Sequence, residues 1–222
     1  MQLFVDTANR EDVEKALTYG CITGITTNPT IISRENKPLE QCVEAIIKLD
    51  PSLTILLEGV STELDSLVAE GRKLASYSEH AVVKVPATPV GLAACRRLAE
   101  ASIPVCVTLV FSVNQAIMAA CAGAAWVAPF IGRLDDNGTD GIRRIGEIRR
   151  VFSQQNVTCK IIAASIRNAV SVAKAFEAGA DAVTLPAKLL EPLLHHELTT
   201  QGLAKFEADW QNVPNGDPGS QG

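Results

Sequence analysis

The sequence predicts an α/β protein built as one (β/α)8 (TIM) barrel, and three observations favour this fold class. Eight short apolar runs alternate with segments whose apolar residues recur every three or four positions, and strict alternation of strand and helix requires a parallel sheet. Eight such units in roughly 210 residues match the count and size of the barrel. A doubly wound open sheet is the alternative, but no G-x-G-x-x-G turn follows the first strand.

The predicted strands are short runs of β-branched and other large apolar residues, which are typical of buried strands. They cover residues 3–5, 22–25, 53–57, 81–85, 105–109, 126–128, 160–163 and 182–185. The predicted helices have the period of an amphipathic helix, as Val43, Ile46 and Ile47 illustrate in the second one. They cover residues 10–18, 39–49, 62–76, 91–101, 112–122, 139–154, 169–178 and 187–195.

The segment between Asn114 and Arg133 needs separate justification because it carries no charge. It is rich in alanine and is interrupted by Gly123 and Pro129, so it falls short of a membrane span. We therefore divide it into a helix, a turn and a strand.

Residues 1–212 are predicted to form a single domain, since no linker-like composition interrupts them. An extra helix is expected over 199–211, with Leu203, Phe206 and Trp210 on one face. It lies beyond the eighth barrel helix and could cap the barrel or lie on a neighbouring subunit. The tail, 213–222, is rich in glycine and turn-forming residues and is expected to be disordered.

Composition limits the partners of this chain. A net charge of −5 and a pI near 5.3 argue against a nucleic-acid or anionic-membrane partner. The amino terminus has no basic segment followed by an apolar one, so we expect a cytoplasmic protein. The six cysteines form no C-x-x-C pair and show no zinc-site spacing with histidine, so no metal site is expected.

Lys84 stands near the carboxyl end of the fourth predicted strand, in the run HAVVKVP. A lysine at such a position loses hydration, which disfavours the ammonium form and favours the neutral amine. The neutral amine is the nucleophile of Schiff-base catalysis. The structural alternative is a lysine that reaches past the strand end to solvent or pairs with a carboxylate.

Polar side chains end other strands as well, at the rim where such a barrel gathers its chemistry. Each has a structural alternative, because Asp6 could cap a helix, Asn28 could form a turn and Glu58 could belong to a buried ion pair. Their occurrence at seven strand ends favours one shared site. The rim candidates are Asp6, Thr26, Thr27, Asn28, Glu58, Lys84, Thr108, Phe130, Arg133, Ser165 and Arg167.

These residue types suggest carbanion formation next to a carbonyl group. Lys84 would condense with a ketone to give an iminium ion, which is an electron sink for the cleavage of a carbon–carbon bond. The base would be Asp6, or Glu58 acting through a water held with Thr108. This chemistry requires neither a metal ion nor another cofactor.

Three further rim residues suggest an anionic substrate. The guanidinium groups of Arg133 and Arg167, together with Ser165, form a candidate clamp for phosphate oxygens. In a chain of negative net charge, such a cluster would act locally on a small molecule.

Motifs along the chain resemble one known family. DTAN, GITTNPTII, VVKVPAT, GLAA, AGAAWVAPFIGR, AASIRN and GADAVTLP occur in the order and spacing of the small transaldolase and fructose-6-phosphate aldolase family of class I aldolases. The resemblance extends to about Trp210. It implies a (β/α)8 barrel that acts on phosphorylated ketose and aldose substrates, and homo-oligomers in the form of pentamers or decamers.

The resemblance also implies roles for single residues. Lys84 would form the Schiff base, Asp6 would be the acid and base at the substrate hydroxyls, and Asn28 would bind the substrate. Glu58 and Thr108 would hold a catalytic water. Phosphate binding would fall to Arg133, Ser165 and Arg167.

Two positions separate the branches of this family. The aldolase branch has glutamine where this chain has Glu58 and tyrosine where it has Phe130. A tyrosine hydroxyl and a neutral amide would help to protonate the enamine and release free dihydroxyacetone, and Phe130 lacks that donor. We therefore expect a transaldolase, although Ala128 resembles the aldolase branch. The alternatives are a fructose-6-phosphate aldolase and, more remotely, a non-catalytic barrel that binds sugar phosphates.

Overall fold

The computed structural model describes residues 1–213 and contains the predicted closed barrel of eight parallel strands. Each strand pairs with the next along the chain, and the last pairs with the first, so the open sheet is excluded. The strands are β1 (Gln2–Asp6), β2 (Ile22–Thr26), β3 (Thr54–Glu58), β4 (Ala81–Pro86), β5 (Val105–Val110), β6 (Trp126–Pro129), β7 (Lys160–Ala163) and β8 (Ala182–Leu185). The disorder predicted for 213–222 concerns, apart from Val213, residues outside the described part of the chain.

The eight predicted barrel helices are present with small shifts of their ends, and the last begins as a 3-10 turn, Ala187–Leu189. The extra helix after the barrel is also confirmed, as α11. In chain order the helices are α1 (Arg10–Leu17), α2 (Pro29–Arg34), α3 (Leu39–Ile47), α4 (Leu64–Ala75), α5 (Pro89–Glu100), α6 (Val113–Cys121), α7 (Ile131–Asp136), α8 (Gly141–Gln154), α9 (Ala169–Glu177), α10 (Leu190–Leu194) and α11 (Glu197–Trp210).

Two short helices, α2 and α7, were not predicted from the sequence. Each has six residues and begins within three residues of the end of a strand, β2 or β6. Six residues make fewer than two helical turns, too short a window for apolar periodicity to be read. The start of α2 is nevertheless encoded locally, because the Asn28 side chain accepts a hydrogen bond from Ile31 N at 2.9 Å and Pro29 occupies the first turn.

The barrel wall separates two apolar cores. Outward-facing strand residues such as Val83 and Val85 pack against the helices, whereas inward-facing residues such as Phe4 and Trp126 fill the barrel itself. The rings of Phe4 and Trp126 have centroids 6.1 Å apart. A glycine at position 24 is needed here, because a Cβ atom at Gly24 would lie 2.9 Å from the Phe4 ring.

Inward-facing side chains come in layers of four from alternate strands, as is usual in such barrels. The layer below the site is apolar and consists of Phe4, Leu56, Cys106 and Ile162, from the odd-numbered strands. The two layers above it are mostly polar. They contain Thr26, Lys84, Ala128 and Thr184 from the even-numbered strands, and then Asp6, Glu58, Thr108 and Ala164 from the odd-numbered ones. The polar site therefore lies above an apolar layer, at the carboxyl ends of the strands.

The last helix leaves large apolar side chains in solvent. No residue of α11 is buried, and Leu203, Phe206 and Trp210 are all exposed, Phe206 to 70 %. Within residues 1–213, no helix is both long and apolar enough to cross a bilayer.

Candidate active site

A cavity of about 440 Å³ opens at the carboxyl ends of the strands. Its lining includes ten of the eleven rim candidates: Asp6, Thr26, Asn28, Glu58, Lys84, Thr108, Phe130, Arg133, Ser165 and Arg167. The exception is Thr27, whose buried hydroxyl donates to the Leu56 carbonyl and does not line the cavity. A larger cavity, of about 580 Å³, lies on the outer flank between α3 and α4 and contains none of them. We therefore take the smaller cavity, at the barrel mouth, as the site.

The amine of Lys84 is the most buried charged group in the cavity. β4 directs it into the barrel, where the residue is 5 % exposed. Its Nζ donates to the Thr27 carbonyl at 2.7 Å and to Glu58 Oε2 at 2.9 Å. Glu58 stands directly opposite Lys84 in the β3–β4 register, so the pairing follows from the strand alignment. Lys84 therefore pairs with a carboxylate, as the structural alternative stated, but both members of the pair line an open cavity.

Thr108 presents a polar atom without a protein partner. Its side chain is fully buried, and among the residues that the structure describes no group forms a hydrogen bond with Oγ1. A buried hydroxyl in this position requires a water or a ligand to satisfy it. β5 has an irregular register here, and Leu109 has a positive φ of 57°, so that Thr108 and Leu109 both line the cavity although they are adjacent.

Asp6 ends β1 and faces the cavity, and one of its carboxyl oxygens already accepts a hydrogen bond. The hydroxyl of Thr26 donates to Asp6 Oδ1 at 2.7 Å. Burial raises the pKa of the Asp6 carboxyl above its ordinary value, and the Glu58 carboxylate acts in the same direction. The Thr26 hydrogen bond and the positive charges of Lys84 and Arg34 oppose the rise without cancelling it. The position is one where a carboxyl can both take up and return a proton.

Asn28 has two relations to the site. It lines the cavity, and its Oδ1 caps α2 by accepting from the backbone N–H of Ile31, so its local role is that of a helix cap and not the turn considered above. Asp6, in contrast, is not a helix cap, because Asn9 caps α1.

Two basic residues, Arg133 and Arg167, line the cavity beyond the carboxyl ends of β6 and β7. The Arg133 guanidinium sits over the Phe130 ring, 5.1 Å from its centroid, and Arg167 donates to Asp136 at 2.8 Å. No carboxylate lies within 4 Å of the Arg133 side chain in the described part of the chain. Ser165 has a positive φ of 62°, which turns the chain just after β7.

Gly132 makes this arrangement possible. A Cβ atom there would lie 2.0 Å from the Ser165 carbonyl oxygen and 2.8 Å from Arg167 Nε. The backbone of α7 and the loop after β7 can therefore approach only because position 132 carries no side chain.

Several cavity residues were missed by sequence reasoning. Arg34 and Leu109 line the cavity, as does Thr184, whose Oγ1 lies 2.5 Å from that of Thr26. The polar Thr184 inside an apolar strand, AVTL, was a usable signal. Arg34 could not have been found without α2, and Leu109 depends on the irregular register of β5.

The barrel and its cavity together define a class: (β/α)8-barrel proteins with a polar site at the carboxyl ends of the strands. Within that class, residues 3–215 match the model of the family described as Transaldolase/Fructose-6-phosphate aldolase. The match covers nearly the whole chain, and the chain belongs to this family. The resemblance found in the motifs is thereby confirmed.

Relatives from several organisms are each named probable transaldolase. A protein of Nitrosopumilus maritimus, named probable transaldolase, is 45 % identical over 98 % of this chain and 98 % of its own length. A probable transaldolase of Moorella thermoacetica is 45 % identical over 97 % of this chain and all of its own. A third, of Aquifex aeolicus, is 44 % identical over 96 % of this chain and 98 % of its own.

Solved structures with little sequence similarity share the barrel. Dihydrodipicolinate synthase of Rhodopseudomonas palustris superposes with a TM-score of 0.60 at 12 % identity, covering 94 % of this chain and 79 % of that one. Thiamine phosphate pyrophosphorylase of Pyrococcus furiosus gives 0.56 at 17 % identity, covering 86 % and 93 %. At such identities the likeness concerns the fold alone.

Proposed function

We propose that this protein is a transaldolase, which transfers a dihydroxyacetone unit from a phosphorylated ketose to a phosphorylated aldose through a Schiff base on Lys84. The observation that carries the proposal is the amine of Lys84, buried in an open cavity within hydrogen-bond distance of Glu58. Membership of the family and the names of its relatives support the same assignment.

The first step forms the covalent adduct. Lys84 Nζ gives one proton to Glu58, at 2.9 Å, and attacks the ketone carbon of the substrate as the neutral amine. The proton on Glu58 and a second proton from the nitrogen pass to the former carbonyl oxygen, which leaves as water. The nitrogen keeps one proton in the resulting iminium ion. Thr108 supports this step, since its unpartnered hydroxyl and Glu58 can hold the departing water between them.

The second step breaks the carbon–carbon bond. Asp6 takes the proton from the hydroxyl on the carbon that will become the aldehyde, and the electron pair of the breaking bond moves towards the iminium nitrogen. The products are an aldehyde, which leaves, and a neutral enamine on Lys84. Addition of the enamine to a second aldehyde reverses these steps, and water then releases the new ketose.

Substrate phosphate is assigned to the basic side of the cavity. Arg133 and Arg167 offer guanidinium groups, and Ser165 offers a hydroxyl, at the rim after β6 and β7. Thr26, Asn28 and Phe130 are proposed to complete the substrate-binding surface. Charge-assisted hydrogen bonds of this kind contribute roughly 1.5–3 kcal/mol each.

Transfer is favoured over release by two residues. Phe130 offers no hydroxyl to protonate the enamine, and Glu58 keeps a base beside Lys84. The dihydroxyacetone unit therefore stays on Lys84 as the enamine until an aldehyde acceptor binds. The second candidate, a fructose-6-phosphate aldolase, is favoured by one observation, because the small side chain of Ala128 in the Lys84 layer matches that branch.

Two measurements test the proposal. Borohydride added with fructose 6-phosphate should reduce the iminium and leave a covalent adduct on Lys84, detected by mass spectrometry and absent from Lys84→Ala. Lys160→Ala is the control, since Lys160 begins β7 at the opposite end of the barrel and should leave the adduct unchanged. Failure to trap an adduct would favour a non-catalytic sugar-phosphate-binding barrel.

Acceptor dependence separates transfer from cleavage. Turnover of fructose 6-phosphate should require erythrose 4-phosphate or another aldose phosphate. Rapid release of free dihydroxyacetone without an acceptor would assign the protein to the aldolase branch instead.

We further propose that residues 1–212 act as one cytoplasmic domain in the pentose phosphate pathway and assemble into homo-oligomers, as pentamers or decamers. The exposed apolar residues of α11, such as Leu203 and Phe206, support assembly. The family membership supports the metabolic role.

A further inference from the structure

Thr184 is a buried threonine that none of the steps above uses. It lies on β8, is 4 % exposed, and lines the cavity. Its Oγ1 is 2.5 Å from Thr26 Oγ1, although 158 positions separate the two residues. They meet because β2 and β8 flank β1 in the closed barrel.

Counting protons gives this chain of hydrogen bonds a direction. A hydroxyl has one hydrogen to donate, and a carboxylate can only accept. The Thr26 hydrogen is directed to Asp6 Oδ1, at 2.7 Å, so Thr26 must accept from Thr184. The order of donation is therefore Thr184 to Thr26 to Asp6, and all three groups are shielded from bulk water.

The direction of donation distinguishes the two oxygens of Asp6. Oδ1 is occupied by Thr26, whereas within residues 1–213 no hydrogen bond is made to Oδ2. A protonated Asp6 keeps the same contact, because Oδ1 then remains an acceptor and the proton resides on Oδ2.

We propose that Thr184 is a positioning residue: by donating to Thr26, it commits the Thr26 proton to Asp6 Oδ1 and so restricts proton exchange with the substrate hydroxyl to Oδ2. The inference rests on the proposed role of Asp6 as acid and base. In the cleavage step the substrate O–H bond breaks, its proton goes to Oδ2, and Oδ1 and both threonines keep their protons unchanged.

Other charged groups act on Asp6 but do not duplicate this contact. Lys84 on β4 and Arg34 on α2 stabilise its anion through charge, and Glu58 on β3 destabilises it. None of the three forms a hydrogen bond with Asp6 in the described residues. The threonine chain is thus the directional contact that orients the carboxyl.

Thr184→Val tests the inference because valine has the same shape but no hydroxyl. We expect kcat to fall about five- to tenfold, as for the loss of one neutral hydrogen bond, with KM nearly unchanged. The acidic limb of the kcat/KM profile should move to higher pH, because a less well held Asp6 anion is protonated more readily. Thr184→Ser, which restores the donor, should return both quantities towards wild type.

Controls separate this role from packing and from the proposed function. Thr23→Val removes a threonine hydroxyl from β2 outside the cavity and should leave the pH profile unchanged. Borohydride trapping should still label Lys84 in Thr184→Val, and its absence from wild-type protein would refute the Schiff base itself.

An unchanged kcat and acidic limb in Thr184→Val would overturn the inference about Thr184 alone. Thr184→Ala gives a second variant without the donor, to be used if valine lowers the melting temperature below the assay range. The same shift of the acidic limb is expected there.

Discussion

Burial decides the chemistry of single residues in this cavity. Lys84 is surrounded by the barrel wall, and its only polar contacts in the described structure are the Thr27 carbonyl and Glu58. Asp6 carries a raised pKa because burial removes water from around its carboxyl. This burial costs folding stability at neutral pH, because the native carboxyl is harder to ionise than an exposed one.

Asp6→Asn should make the protein more stable and less active. The raised pKa means that the native carboxyl binds its proton more tightly than the unfolded chain does, so stability is lost as pH rises above the ordinary value of 3.8. Asparagine cannot ionise, and its Oδ1 can still accept from Thr26. We expect a higher melting temperature at pH 7, with 1 kcal/mol corresponding to about 2–4 °C in a chain of this size.

The advantage of Asp6→Asn should shrink as the pH is lowered towards 4, which thermal unfolding at several pH values would measure. Asp65→Asn, at an exposed aspartate, is the control for loss of a charge. A variant less stable than wild type at pH 7, or an advantage that does not depend on pH, would contradict this account of Asp6.

Phe130→Tyr should raise the release of free dihydroxyacetone relative to transfer. The new hydroxyl would supply the proton donor that the cavity wall lacks at this position. We expect the ratio to rise about fivefold, a small part of the 10²–10⁴-fold that a well-placed acid supplies. Phe111→Tyr is the matched control, because Phe111 packs against Phe130 with centroids 6.0 Å apart but does not line the cavity. An unchanged ratio in Phe130→Tyr would argue against its role at the branch point.

Among the elements, the two short helices bring residues to the cavity that the strands cannot supply. α2 contributes Arg34, and α7 contributes Arg133 and carries Asp136 at its end. Asp136 holds Arg167, which comes from the loop after β7, at 2.8 Å. The side of the cavity that carries Arg133 and Arg167, proposed to bind phosphate, is therefore built between two elements and not on one.

Asp136→Asn should weaken binding of phosphorylated substrates. Without the carboxylate, Arg167 loses the contact that orients its guanidinium, and we expect KM for fructose 6-phosphate to rise about two- to fivefold, the range of an exposed ion pair. The kcat value and the KM for unphosphorylated fructose should stay unchanged. Steady-state kinetics with both ketoses would measure this.

Asp65→Asn provides the comparison for α7. It breaks an exposed ion pair of the same kind, with Arg97 at 2.6 Å, away from the cavity. Equal effects of the two substitutions, or a fall in kcat in Asp136→Asn, would show that Asp136 acts on the fold and not on Arg167.

At the scale of the whole molecule, α11 is the helix that buries none of its residues against the barrel. Its apolar residues remain exposed in the single chain, and burying a large apolar side chain stabilises by about 1.5–3 kcal/mol. Truncation after Thr199 should therefore reduce the molecular mass measured by light scattering, while the barrel stays folded. Full-length protein with Phe206→Ala and Trp210→Ala should show the same change. An unaltered number of subunits in both would contradict a role of α11 in assembly.

Much of the fold and of the site can be predicted from the chain because both depend on local patterns. Strand and helix periods identify all eight strands, and the polar residues that interrupt the strand ends, such as Lys84 and Asp6, identify the rim. The ends of elements were predicted less accurately: β4 ends at Pro86, one residue beyond the predicted strand 81–85. Short helices such as α2 have too few residues to show a period.

The order of strands, the fold class and the polar side chains of the cavity rim can thus be predicted from the sequence alone, since each depends on patterns among neighbouring residues. Which of those side chains meet depends on closure of the barrel. Thr184 contacts Thr26 only because β8 returns to β1, and Leu109 joins Thr108 in the cavity only because β5 is irregular. The first contact joins distant segments, and the second depends on how β5 pairs with β6, so no local period encodes either of them.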